Sequence, residues 1–221
     1  MAFNFDPSKE FLLDQKSNNN YTFYPIKFPD ILKLAKTAMS AHWVAEEIDY
    51  FNDLDDWNNK LTDNERFFIK NVLAFFSSSD GIVNENLAIN FYNEVKVSEA
   101  RYLYANQIQM EAIHAETYSL LIDTFITNKK EKNDIFNALE TNPVVKKKAD
   151  WCMKWLDPKT RSFPERLIAF GIVEGVFFSG SFCAIFWLAH RGLMPALTLS
   201  NRFNSRDENI HCDTCVLLYS K

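Results

Sequence analysis

Glu111-Ala112-Ile113-His114 and Glu208-Asn209-Ile210-His211 share one spacing, a glutamate three residues ahead of a histidine, and take up two of the four histidines in the chain. On a helix, residues three apart stand one turn apart on the same face. Each motif therefore offers a carboxylate oxygen and an imidazole nitrogen side by side. This mixed donor set suits iron and manganese, and a bridging carboxylate can hold two such cations close together.

A dinuclear site needs more carboxylate than the two motifs supply. Asp80 and Glu174 are the candidates, because each interrupts an apolar stretch, Phe75-Phe76-Ser77-Ser78-Ser79-Asp80-Gly81-Ile82-Val83 and Ile172-Val173-Glu174-Gly175-Val176-Phe177-Phe178. A carboxylate among such neighbours must be paired or metal-bound. Two Glu-x-x-His helices plus one carboxylate from each of two others is the known ligand pattern of ferritin-like di-iron and di-manganese carboxylate bundles, and it is applied to this chain as a general pattern. Taken singly, each residue has a plainer reading: a Glu-x-x-His can be a surface pair, Asp80 can cap a turn and Glu174 can face a core arginine. Four such segments on four separate long helices favour the metal site. Tyr118 lies four residues after His114 and seven after Glu111, on the same face, where a phenol beside an oxygen-activating metal pair can be oxidised to a radical. Phe178 and Phe182, four and eight residues after Glu174, can shield it. By itself Tyr118 would be read as a core tyrosine.

Long helices must carry these residues. The chain has 221 residues, 47% hydrophobic, with 20 Phe but only 5 Gly and 7 Pro, which favours an all-α fold with a large core over a turn-rich β architecture. Residues 1–30 read as an irregular segment and 31–221 as one helical domain. A first helix is expected from about Asp30 to Tyr50, carrying Trp43, Glu46 and Glu47. Thr62-Asp63-Asn64-Glu65 has the form of a capping box and opens a second helix through Phe67, Phe68, Val72, Phe75, Phe76 and Asp80. A third runs from Ser98 to near Ile126. Residues 127–132 read as a loop, a helix is expected from about Asp134 to Leu139, and another carries Trp151 and Trp155. Pro164 opens the Glu174 helix, where its missing N–H is harmless, and Gly192 closes it. The last helix holds Glu208 and His211.

The net charge of −5 and the lack of a basic stripe argue against nucleic-acid binding. Lys146-Lys147-Lys148 reads as a solvated helix start. No signal peptide is recognised at the N-terminus, and Cys152, Cys183, Cys212 and Cys215 fit buried thiols in a reducing, cytoplasmic setting. Cys212-x-x-Cys215 has no second such pair and reads as core cysteines. Leu167 to Ala189 is long enough to imitate a membrane span, which takes about 20 apolar residues. Glu174 near its middle would be expensive in lipid, and the centre of a soluble bundle also requires an apolar helix; a chain outside the membrane is expected.

Longer strings now carry a resemblance. Trp43-Val44-Ala45-Glu46-Glu47-Ile48-Asp49, the run from Phe75 to Leu87, Met110 to Leu121, Lys146 to Trp151, Val173 to Phe182, Arg191-Gly192-Leu193-Met194-Pro195 and Ser205-Arg206-Asp207-Glu208 resemble the small, radical-generating subunit of class I ribonucleotide reductase, of the eukaryotic and viral kind. The similarity covers the chain from about residue 25 to its end. It implies that Asp80, Glu111, His114, Glu174, Glu208 and His211 bind two irons, that Tyr118 carries the radical, and that Trp43, Asp207 and His114 form a hydrogen-bonded electron route. It also implies a homodimer, a large catalytic subunit that makes deoxyribonucleotides, dioxygen and an external electron donor. Iron against manganese stays open, since the ligand set accepts both.

Two departures from the family stand out. Family members continue for more than a hundred residues beyond the position of Lys221, so the chain is expected to lack C-terminal helices and a docking tail, either as a fragment or as a truncated form. Asn204 stands where a branched apolar residue usually lines the tyrosyl pocket; a polar group there is expected to admit water and shorten the radical's life, and Asn204→Ile to lengthen it. Alternative readings are a truncated, non-catalytic partner of an intact small subunit, and another ferritin-like di-iron oxidase or iron store.

Overall fold

The computed structural model describes residues 6, 10–14 and 22–221. Half of the irregular segment expected over residues 1–30 falls outside them, including Asn18-Asn19-Asn20 and nearly all of the start of the chain on which the signal-peptide reading rests. Among the described residues the structure is all-α. Its α-helices of four residues or more are α1 (Pro29–Ser40), α2 (Asp63–Asn86), α3 (Ser98–Phe125), α4 (Lys129–Phe136), α5 (Ala138–Thr141), α6 (Pro143–Leu156), α7 (Phe163–Ile172), α8 (Ser179–His190) and α9 (Pro195–Tyr219).

Four long pieces make the bundle that matters here: α2, α3, the α7–α8 rod and α9. In α2 the Thr62 hydroxyl and Glu65 carboxylate exchange hydrogen bonds with each other's backbone N–H, closing the capping box. Its buried stripe runs Ile69, Val72, Leu73, Phe76, Asp80, Val83, at helical spacing. Phe67 and Phe68, in the first turns of the helix, are 70% and 50% exposed, because both fall off that stripe. α3 buries Ala100, Leu103, Tyr104, Gln107, Met110, Glu111, His114, Thr117, Tyr118 and Leu121, one continuous face with the Glu-x-x-His motif at its centre.

The rod from Phe163 to His190 is not uniform. Ser162 and Glu165 cap its start, Pro164 sits in its first turn, and residues Val173–Phe177 form a π-helical turn that carries Glu174. Gly171 and Gly175 face α9, where an added Cβ would come within 3.1 Å of the Cys215 Cβ and 2.4 Å of the Cys212 sulfur. The two glycines are therefore what allows the π turn to lie directly against α9. By length and composition this rod is the one candidate membrane span among the described residues. Its only internal carboxylate, Glu174, is turned into the bundle and 1% exposed. Gly192, at φ 68°, turns the chain out of α8.

Four expectations need correction. The first helix ends at Ser40 rather than Tyr50: Trp43 lies in a loop and Ala45–Glu47 and Tyr50–Asp53 are short 3₁₀ turns. Tertiary hydrogen bonds from Trp43 and Asp53 to α9 hold this stretch off the helical path. Of the loop expected over residues 127–132 only Thr127 and Asn128 are loop, since Asn128 accepts from the N–H groups of Lys130 and Glu131 and so starts α4 at Lys129. Lys146 and Lys147 are exposed, but Lys148 is half-buried, its ammonium 3.6 Å from the centre of the Phe75 ring. Cys183 is exposed, while Cys152 and Cys215 are buried and Cys212 is half-buried.

α9 begins in an unusual way. Met194 adopts a left-handed backbone at φ 56°, and no side chain of its own turn caps the helix. Asp56 accepts from the Met194 N–H at 2.6 Å. Asp53, with no exposed surface, accepts from the N–H groups of Ala196 and Leu197 at 2.8 and 2.7 Å. Two carboxylates from a distant segment thus satisfy backbone donors that a helix start leaves free, and their charge suits the positive end of the helix dipole.

Candidate metal centre

Asp80 from α2, Glu111 and His114 from α3, Glu174 from the π turn, and Glu208 and His211 from α9 converge at the bundle centre. All six are between 0% and 4% exposed. They fall into two overlapping sets, Glu111–Glu174–Glu208–His211 and Asp80–Glu111–His114, in each of which one ligand atom per residue lies within 4.8 Å of the others. Glu111 belongs to both and occupies the bridging place. The His211 Nδ1 is 2.9 Å from Glu111 and 3.1 Å from Glu208; the His114 Nδ1 is 3.2 Å from Glu208 and 3.6 Å from Glu111. Both rings turn the same nitrogen into the cluster.

The residues fit a metal pair. Asp80 Oδ2, both Glu111 oxygens, His114 Nδ1 and Glu174 Oε2 are buried without a hydrogen-bond partner, and buried acceptors in this state are costly. Four buried carboxylates carry four negative charges, which two divalent cations would cancel. Without metal the cluster holds protons instead. Burial and the neighbouring Glu111 charge push the Asp80 carboxyl well above its usual range, and burial with Glu208 and Glu111 does the same for Glu174. Burial opposes ionisation of Glu208, but a hydrogen bond from protonated Glu174 and the charge of His211 outweigh it and hold Glu208 low. Burial also disfavours the imidazolium forms. Asp207, Glu111 and Glu208 overcome this at His114, and Glu208 and Glu111 at His211, so both histidines lie well above their ordinary value. Metal binding must displace these protons.

His114 connects the cluster to the surface side of α9. Its Nε2 is 3.2 Å from Asp207 Oδ2, and the same oxygen accepts the indole N–H of buried Trp43 at 2.8 Å. The Trp43 and His114 rings stack with centres 6.1 Å apart. Burial works against the Asp207 carboxylate, yet His114, Trp43 and Arg206 together hold it below its usual range. Arg206 donates to Asp207 Oδ1 through Nε and Nη2 at 3.1 and 3.0 Å.

Tyr118 is 3% exposed and lies one turn beyond His114. Phe76 stacks flat on its ring, with centres 4.6 Å apart and planes 8° off parallel. Phe178 and Phe182 pack against Phe76 at 5.7 and 5.0 Å. Burial, then the charge of Asp80, pushes the phenol well above its ordinary pKa, while the Asn204 side chain works the other way. All the sequence-predicted residues thus gather in one region, with Phe178 and Phe182 forming the outer part of a shield whose inner wall is Phe76. Sequence reasoning missed Phe76, although it precedes Asp80 by four residues on the same face. It missed Gln107, which donates to Glu174 Oε1 at 3.2 Å and stands four residues before Glu111. It also missed Arg206, which lies next to Asp207 in the chain, and Asp53 and Asp56, whose partners at the start of α9 are distant in sequence and left no local signal.

Residues 20–221 match the family described as "Ribonucleotide reductase, small chain". The chain is 58% identical over 207 residues to the ribonucleoside-diphosphate reductase small subunit of Dictyostelium discoideum, covering 94% of this chain and 61% of that protein. It is 56% identical to the small chain of Yaba-like disease virus, covering 91% and 62%. The chain therefore spans about three fifths of the length of these relatives. The ribonucleotide reductase Rnr4 homodimer from Saccharomyces cerevisiae superposes with a TM-score of 0.85 at 35% identity, covering 96% of this chain and 67% of that one.

Proposed function

This chain belongs to the ribonucleotide reductase small-chain family, and on that premise we propose that it generates the radical used to reduce ribonucleotides to deoxyribonucleotides. The observation that carries the reading is the pairing of two overlapping buried ligand sets with one enclosed phenol a helical turn away. Asp80, Glu111, His114, Glu174, Glu208 and His211 would hold two irons; manganese suits the same donors and competes with iron. When bound, the metal pair supplies, with dioxygen, oxidising power that no side chain has.

The chain's own residues set the conditions. Glu111 holds the two sets together, and Gln107 steadies Glu174. Asp207 engages the His114 Nε2 and leaves Nδ1 free for metal, the usual outer-shell arrangement for a ligating histidine. Phe76, backed by Phe178 and Phe182, keeps water and reductants off Tyr118, the radical site. Trp43, Asp207 and His114 form an unbroken line along which an external donor's electron reaches the centre. Residues 31–221 act as one ferritin-like domain, in the cytoplasm, as a homodimer that passes its radical to a large catalytic subunit.

The test is an electron paramagnetic resonance spectrum after adding iron(II) and air to metal-free protein. We expect a tyrosyl signal with about two irons bound, and none in Tyr118→Phe. Two bound irons without a signal would overturn the radical reading and leave an iron oxidase.

A further inference from the structure

α3 and α9 run antiparallel through the site, and their contacts climb in step. Glu111 meets His211 at 2.9 Å; one turn along α3, His114 meets Glu208 and Asp207 at 3.2 Å each. Advancing along α3 means retreating along α9. The next rung therefore pairs Tyr118, four residues after His114, with Asn204, four residues before Glu208. Asn204 has no exposed surface, and both its amide atoms are buried without a closed hydrogen bond. A primary amide offers two donors and an acceptor, and leaving them unused in a dry core is unfavourable. The pull of the amide on the phenol oxygen is already felt, since it opposes the effects of burial and of Asp80. Among its near neighbours on α9, Asn201 donates to the Phe182 carbonyl at 3.2 Å and so faces away.

We propose that Asn204 is a positioning residue for Tyr118: its carboxamide N–H closes onto the phenol oxygen and keeps that bond when the ring is oxidised. This rests on reading Tyr118 as the radical site. The pocket then combines apolar walls from Phe76, Phe178 and Phe182 with a single polar contact aimed at the oxygen. A hydrogen bond to that oxygen withdraws spin density from it and fixes the ring's orientation, so Asn204 sets the radical's spectrum and reactivity without touching either ligand set.

Two measurements test it. The first uses metal-free protein and a double-mutant cycle of Tyr118→Phe and Asn204→Leu, read as urea midpoints. Groups in contact couple, and the double variant should miss the sum of the single shifts by roughly 0.3 M or more. Additive shifts would overturn the contact. The second uses iron-loaded protein exchanged into deuterium oxide, with electron–nuclear double resonance on the tyrosyl signal. A deuteron coupling in the unmodified chain that disappears in Asn204→Leu is the expected result. No exchangeable coupling, or one that survives the substitution, would overturn the proposal. If the unmodified chain gives no tyrosyl signal at all, the radical function fails, and the metal-free cycle alone decides whether Asn204 binds Tyr118.

Discussion

Removing the Asp53 carboxylate should unlock the start of α9. Asp53 is fully buried and accepts two backbone N–H groups, from Ala196 at 2.8 Å and Leu197 at 2.7 Å. In Asp53→Ala both donors lose their partner where water has no access. Each orphaned donor costs about 1–3 kcal/mol, which gives roughly 2–6 kcal/mol for the pair. An offset comes from the carboxylate itself, because burial pushes the Asp53 pKa up before the two N–H bonds pull it back, so ionised Asp53 carries a desolvation cost that the variant sheds. A net loss of about 2–4 kcal/mol remains, a large share of a typical total stability of about 5–15 kcal/mol. With a urea slope of about 2 kcal/mol per molar, the midpoint of the metal-free protein should fall by roughly 1–2 M at unchanged slope. Asp53→Asn keeps one acceptor and should fall in between. Because α9 carries Glu208 and His211, iron affinity should weaken in the same order. A midpoint shift below about 0.3 M in Asp53→Ala would refute the reasoning and show that packing alone holds α9 in place.

Three further outcomes follow from the site. Glu111→Gln alters the one carboxylate common to both ligand sets and should lower the binding of both metals, whereas Asp80→Asn should weaken one far more than the other; equal loss of both in Asp80→Asn, measured by metal titration, would count against the bridging place of Glu111. Phe76→Ala removes a fully packed ring from Tyr118 and should cost about 3–5 kcal/mol, while shortening the radical's half-life severalfold; an unchanged decay in the spectrum would contradict the shield. For pH, Asp80, Glu174, His114 and His211 all have folded pKa values raised above their ordinary 3.8, 4.5 and 6.5. The metal-free fold therefore binds more protons than the unfolded chain, and its stability should decline as pH rises, beginning near 4 for the two carboxyls and near 6.5 for the histidines. Metal affinity should rise over the same range. Glu208 and Asp207, held low, act in the opposite direction but only at more acidic pH. A metal-free stability that climbs from pH 5 to 8 in urea titrations would refute this sign.

What could be read from the sequence was what helical periodicity encodes. Glu111, His114 and Tyr118 recur at three- and four-residue steps, and Asp80 and Glu174 betray themselves as carboxylates in apolar runs, so the six-residue cluster emerged before any coordinates. The capping box at Thr62 and the glycine stop at Gly192 are equally local and equally legible. The stretch from Ala41 to Asp53 was not. Its residues do not forbid a helix, and only bonds to a segment about 140 to 165 residues further on, at Ala196, Leu197 and Asp207, pull it into turns.

The wide turn at Val173–Phe177 is also an instrument of phase. In an unbroken α-helix each residue advances about 100°, so Phe182, eight residues after Glu174, would project roughly 80° round from it. The i→i+5 turn takes up about one residue more per revolution, which rotates everything beyond it backwards. Glu174 and Phe182 come back close to one line along the rod, so a single helix delivers a ligand to the metal pair and a wall to the tyrosine pocket. Forcing this turn into regular α-helix with no residue removed would swing Phe182 round by roughly 80–100° and out of the pocket while every residue named in the two ligand sets remained in the chain.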